Sequence, residues 1–74
     1  MKVKAKLFAT LRKDKFNESE LEVNDSLNIL SLVKSIGLDQ KEIAIIFVNG
    51  KHADFNTILH DGDEIAFFPP IGGG

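Results

Sequence analysis

Cysteine, tryptophan and tyrosine are absent from this 74-residue sequence, and its two prolines stand side by side near the C-terminus. Without cysteine there is no disulfide, no thiolate metal site and no sulfur nucleophile on a side chain, so nothing points to an oxidising compartment and the expected location is cytoplasmic. Nucleic-acid surfaces usually combine a basic excess with interleaved aromatic rings. Here the net charge is −2 and the only aromatic ring type besides histidine is phenylalanine, so no nucleic-acid role is expected. Long hydrophobic runs are also missing. The longest, Ile43 to Val48, falls far short of the roughly 20 residues that cross a bilayer, and Met1-Lys2-Val3-Lys4-Ala5-Lys6 lacks the apolar stretch of a signal peptide, so no membrane partner is expected.

The familiar catalytic patterns are equally sparse. His52 and His60 are the only histidines, and neither stands at metal-ligand spacing from nearby carboxylates, so no metal site and no bound cofactor are expected. Asp61-Gly62-Asp63 has the composition of a turn rather than of a paired-acid site. Gly72-Gly73-Gly74 is not followed by the Lys-Ser/Thr and helix of a phosphate-binding loop.

What is present suits one small folded domain: 43% hydrophobic and 27% charged residues. Six of the nine basic residues (Lys2, Lys4, Lys6, Arg12, Lys13 and Lys15) cluster at the start, where alternate lysines would keep the outer face of a strand in water. Val3, Ala5 and Leu7 alternate with Lys2, Lys4, Lys6 and Phe8, the period of a half-buried strand, with Phe8 on the polar side. After a polar connection, Leu21 and Val23 alternate with Glu20 and Glu22 in a hairpin partner. Asp25 and Ser26 offer an N-cap, Ile29, Leu32, Val33 and Ile36 recur at helical spacing, and Gly37 sits where a left-handed C-terminal residue belongs.

Ile43 to Val48 reads as a strand covered on both faces. Asn49-Gly50 then favours a tight reversal into Lys51–Ala53. Glu64–Phe68 forms a last strand that Pro69-Pro70 ends, since proline has no N–H for the ladder. The order predicts an α+β fold: a mixed four- or five-stranded sheet with one main helix on one face, spanning residues 1–70, and a glycine tail at 71–74. Within the last strand Ile65 and Phe67 face inward, which leaves Phe68 outward. If the first and last strands are neighbours, Phe8 and Phe68 lie together on the outer face, and burying each in a partner would contribute about 1.5–3 kcal/mol.

The tail itself has a chemical use. Gly72-Gly73-Gly74 has no side chains to obstruct a narrow channel and follows a rigid double proline, so its carboxylate is held away from the globule. A carboxylate is a poor acyl donor until a partner makes one oxygen a good leaving group, most simply by adenylation.

Leu7-Phe8-Ala9-Thr10-Leu11-Arg12, Val48-Asn49-Gly50 and the run from Leu59-His60-Asp61-Gly62-Asp63-Glu64 through Phe67-Phe68-Pro69-Pro70 to Gly74 together resemble the MoaD/ThiS-type ubiquitin-like sulfur carriers. The resemblance implies a β-grasp fold. It also implies an E1-like adenylyltransferase that uses ATP to adenylate Gly74, and a sulfur donor protein that converts the product to a thiocarboxylate. Gly72 and Gly73 would thread the enzyme's channel, and Phe8, Phe68, Pro69 and Pro70 would form the docking surface. Such a chain is a carrier and co-substrate rather than a catalyst by itself. Phe68-Pro69-Pro70 is closest to the small subunit of molybdopterin synthase, which implies docking on a large subunit as a heterotetramer. Thiamine, tungsten-cofactor and amino-acid sulfur routes, and a modifier joined to lysines, are the alternatives.

Overall fold

The computed structural model describes residues 1–13 and 15–70. Five strands, β1 (Lys2–Leu7), β2 (Glu18–Glu22), β3 (Ile45–Val48), β4 (Lys51–Ala53) and β5 (Glu64–Phe68), form one sheet in the order β2-β1-β5-β3-β4. β1 and β5 run parallel at its centre and the other pairs are antiparallel. One α-helix, α1 (Ile29–Ile36), lies on the inner face. This is the two-layer α+β arrangement expected from the element order, with five strands rather than four, and it is the β-grasp fold that the resemblance implies.

Strand parity builds the core. Val3, Ala5 and Leu7 of β1 and Ile65 and Phe67 of β5 are all buried and pack with Ile29, Leu32 and Val33 of α1 in a single cluster. Among the described residues no polar side chain is buried with them. Fully burying side chains of this size contributes about 1.5–3 kcal/mol each, so this cluster is the chief driving force for folding.

The start of α1 departs from expectation. The N-cap is Asn28, whose side chain accepts from Ser31 N–H at 2.9 Å, and not Asp25 or Ser26. Ser26 instead occupies a turn with φ of 63°. The loop after β4 explains the shift: Thr57 and Phe55 carbonyls accept from Ile29 and Leu30 N–H, both at 3.0 Å, so the helix begins where a distant segment can satisfy its first donors. Gly37 ends α1 in the expected left-handed conformation, φ 91° and ψ 20°.

β3 also differs. It starts at Ile45, because Gln40–Glu42 form a short 3₁₀ turn, capped by Asp39, whose end carries Ile43 into the core. The helix covers β3 on the inner face only, and among the described residues no second layer covers Ile45 and Phe47 on the outer face. Both are half-buried; aromatic side chains of the sheet itself shield Phe47.

The turns at the sheet's lower end are tied together by side chains. Asn49, at φ 52°, reverses β3 into β4 with Gly50 at φ 82°. Its side chain donates to Asp63 Oδ1 at 2.9 Å and accepts from Glu64 N–H at 3.0 Å. Asp63 Oδ2 accepts from His60 N–H at 2.8 Å, which confirms Asp61-Gly62-Asp63 as turn chemistry. Asn49→Ala loses both side-chain bonds and puts a poor residue in the left-handed region. The expected cost is roughly 2 kcal/mol, and about half that for Asn49→Gly, as measured by urea unfolding.

A candidate docking face at the root of the tail

β1 and β5 pair with Leu7 opposite Phe67, so the next residues, Phe8 and Phe68, emerge side by side on the outer face. Phe8 N–H donates to Phe67 C=O at 3.2 Å and continues the ladder by one bond. The two rings stack with centroids 4.4 Å apart and planes 10° from parallel. The expected adjacency of Phe8 and Phe68 is therefore present, and both rings are half-buried rather than covered by a loop.

The aromatic surface is wider than the sequence indicated. Phe47 of β3 meets Phe68 edge-on at 5.8 Å, and His52 of β4 meets Phe47 edge-on at 5.1 Å. Phe8, Phe68, Phe47 and His52 thus make a row of four rings across β1's end, β5, β3 and β4. Each such contact adds about 0.5–1.5 kcal/mol beyond area burial, which fixes the row's geometry. Phe47 escaped notice because a continuously apolar run carries no parity signal, although Asn49-Gly50 sets its register against His52.

Arg12 closes the row beside Phe8. Its Nε donates to Leu7 C=O at 2.8 Å and its guanidinium carbon stands 5.5 Å from the Phe8 ring centre. A 3₁₀ turn over Ala9–Arg12 places it there, entered through Ala9 at φ 53°.

Pro69 and Pro70 follow Phe68 directly, Pro69 half-buried and Pro70 exposed. The row of rings therefore borders the point where the C-terminal segment leaves the sheet. Gly72, Gly73 and Gly74, on which the sequence places the tail chemistry, lie outside the described residues.

The other half of the outer face is ionic. Lys4 and Lys6 of β1 approach Glu18 of β2 at 3.9 and 3.8 Å, and Lys6 Nζ bonds Glu64 Oε1 of β5 at 2.6 Å. The alternating lysines thus do more than solvate a strand: they alternate with glutamates across three strands. Among the described residues no group of three or more histidines, aspartates and glutamates could hold a metal ion. Nor is any described helix long and apolar enough to cross a membrane.

Fold and face together define a β-grasp protein with a row of aromatic rings beside Pro69-Pro70. The sequence model of the ThiS family matches residues 5–74, and the chain belongs to that family of ubiquitin-like sulfur carriers. No curated protein matches it. Among solved structures it is similar to the putative molybdopterin converting factor subunit 1 of Pyrococcus furiosus, with 27% identity, 96% of this chain and 99% of that chain covered, and a TM-score of 0.77. It is similar to the small archaeal modifier protein 1 of Methanosarcina acetivorans, with 28% identity, coverage of 99% and 96%, and a TM-score of 0.66. A third similarity is to a complex of subunits 1 and 2 of the molybdopterin-converting factor of Helicobacter pylori, with 25% identity, both chains fully covered and a TM-score of 0.67.

The Lys6 hydrogen bond, then its charge, holds the Glu64 carboxyl below its ordinary value of 4.5. The same bond raises Lys6 above 10.5. A lowered carboxylate contributes stability that is complete above its ordinary value and lost as pH falls through the lowered one; a raised amine contributes below its ordinary value and loses it at alkaline pH. Any stability advantage of the wild type over Lys6→Met is therefore expected between about pH 4.5 and 10.5 and should shrink outside that window. An NMR titration should place the Glu64 midpoint below 4.5 in the wild type and return it toward that value in Lys6→Met.

Proposed function

We propose that this chain is a sulfur carrier whose working group is the carboxylate of Gly74. In the first step a Gly74 carboxylate oxygen attacks the α-phosphorus of ATP on an E1-like adenylyltransferase. Pyrophosphate leaves, and the C-terminus becomes an acyl-adenylate. In the second step a sulfide equivalent from a sulfur donor protein attacks the carbonyl carbon and expels AMP, which leaves a thiocarboxylate. Beyond the Gly74 carboxylate that attacks in the first step, neither step asks a side chain of this protein to act as base or nucleophile. Its part is to be recognised, to hold its end clear of the globule, and to release the sulfur to an acceptor.

The observation that carries this reading is the stacked Phe8–Phe68 pair, continued through Phe47 to His52, directly beside Pro69-Pro70. A surface of half-exposed rings at the root of a tail that ends in three glycines suits a protein substrate that is gripped by its body while its end enters a channel. Phe8, Phe68, Pro69 and Pro70 are the docking residues in this reading, and Gly72 and Gly73 thread the channel. Exposed aromatic surfaces of this kind mark interaction sites.

Among sulfur pathways, molybdopterin synthesis is the reading we favour. The Phe68-Pro69-Pro70 sequence supports it, as does the similarity to a molybdopterin converting factor subunit 1 that was solved with its subunit 2. The acceptor would then be a molybdopterin synthase large subunit, in a heterotetramer of two copies of each chain, in the cytoplasm. Thiamine, tungsten-cofactor and amino-acid routes use the same tail chemistry and are the alternatives. A second reading draws on the similarity to a small archaeal modifier protein: the same acyl-adenylate captured by a lysine amine gives an isopeptide instead of a thiocarboxylate.

Incubation with ATP, the activating enzyme of the same cell and a sulfur source, followed by intact mass and C-terminal fragmentation, tests the proposal. The expected result is one oxygen replaced by sulfur at Gly74, and no change in a chain lacking that residue. An unmodified Gly74 with a competent enzyme refutes sulfur carriage, and an amine-linked product supports the modifier reading.

A further inference from the structure

The sheet has two open edges: β4 offers only Lys51–Ala53, whereas β2 offers Glu18–Glu22. Met1 and Val23 exchange N–H and C=O at 2.8 Å in each direction, and Leu7 N–H donates to Asn17 C=O at 2.8 Å, so the odd-numbered residues of β2 turn their backbone groups toward β1. Those of Glu18, Glu20 and Glu22 therefore point away from the sheet. Their side chains lie on its outer face, while Leu21 and Val23 pack on the inner side against the core. Beside Val23 a groove of about 230 Å³ separates the end of β2 from α1, lined by Glu22, Val23, Asn24, Leu27, Ser31 and Ser35. Ser31 and Ser35 stand about one turn apart on the helix, and their short side chains leave the groove open.

We propose that the β2 edge accepts, as an added strand, an extended segment of a partner protein in which lysine or arginine alternates with apolar residues. Backbone bonding to Glu18, Glu20 and Glu22 supplies the attachment, and charge and parity select the occupant. From Asn17 to Val33 the chain carries Glu18, Glu20, Glu22 and Asp25 and no basic residue. Glu18 reaches back to Lys4 and Lys6 and Glu22 to the Met1 amine, but Glu20 between them has no ion-pair partner among the described residues. A strand paired about 4.8 Å away sets alternate side chains beside these glutamates, where a cation is favoured. The side chains between them lie level with Leu21 and Val23, and one enters the groove. β1 is already such a strand on the other side of β2: Lys2, Lys4 and Lys6 stand opposite Glu22, Glu20 and Glu18, with Val3 and Ala5 between. A second copy of this chain does not suit the edge. Two β2 strands pairing about Glu20 would set Glu18 against Glu22 and Glu20 against its own copy, and like charges directly opposite are destabilising.

The test titrates the capped peptide acetyl-Lys-Val-Lys-Ile-Lys-Val-Lys-amide into the full ¹⁵N-labelled chain. Saturable shifts are expected at the amides of Glu18, Glu20, Glu22, Val23 and Ser31, with slowed hydrogen exchange at the three glutamates. A Kd on the order of 0.1–1 mM is expected for so short and flexible a peptide. The same peptide with glutamate in place of lysine should leave these amides unmoved. Glu20→Lys should weaken binding roughly tenfold. Glu20→Pro removes an outward N–H while keeping the bonds to β1, a change that an edge strand tolerates, and should weaken binding to a similar degree. If a variant fails to fold, the exchange result on the wild type and the acidic peptide decide. Unmoved Glu18–Glu22 amides at roughly ten times that Kd, or an equal response to the acidic peptide, overturn the proposal. So does a Glu20 amide that shifts with the chain's own concentration in the absence of peptide, since a second copy is then the occupant. None of these outcomes depends on whether Gly74 is ever adenylated.

Discussion

The parallel pairing of β1 with β5 is the constraint on which the rest depends. It joins the first and last strands of the chain at the centre of the sheet, with Ala5 opposite Ile65 and Leu7 opposite Phe67. One face of that pair is the core: all four side chains are buried under α1. By strand parity the opposite face receives Lys6, Glu64, Ala66, Phe8 and Phe68. A slip of one residue would exchange the faces, burying the ion pair and exposing Leu7 and Phe67, so the energy that fixes the core also fixes the row of rings on the outer face. The surface is in this sense a by-product of the fold, held in place without any dedicated scaffold.

A domain of this size has little room for an enclosed active site, and its outer face is instead sorted into two halves. Lysines and glutamates alternate from β2 to β5, and rings run from the end of β1 to β4. The charged half keeps the sheet in water, while the aromatic half leaves rings only half-buried beside Pro69-Pro70. Arg12 flanks the row of rings, bonding the backbone at Leu7 and standing over the Phe8 ring.

Much of this was legible in the sequence because it depends on local rules. Alternation placed Phe8 and Phe68 outward, Gly37 marked the helix end, and Asn49-Gly50 and Asp61-Gly62-Asp63 marked their turns. What was not legible depends on contacts between distant segments. Asn28 caps α1 instead of Asp25 or Ser26 because carbonyls of Phe55 and Thr57 arrive from another loop to meet the first helical N–H groups. Ile43 belongs to the apolar run but not to β3, since a preceding 3₁₀ turn delivers it to the core separately. Phe47 and His52 join the row of rings only once β3 and β4 are paired beside β5.

The absence of cysteine provides the most direct test of what the tail does. No side chain of this protein is a thiol, so a thiocarboxylate at Gly74 would be its one site for rapid alkylation by iodoacetamide near neutral pH. The chain should be isolated from its own cells, alkylated at once and fragmented. Sulfur carriage predicts a single carbamidomethyl group mapped to the Gly74 thiocarboxylate. A C-terminus found only as an unlabelled carboxylate, or joined to lysines of other proteins, would contradict it.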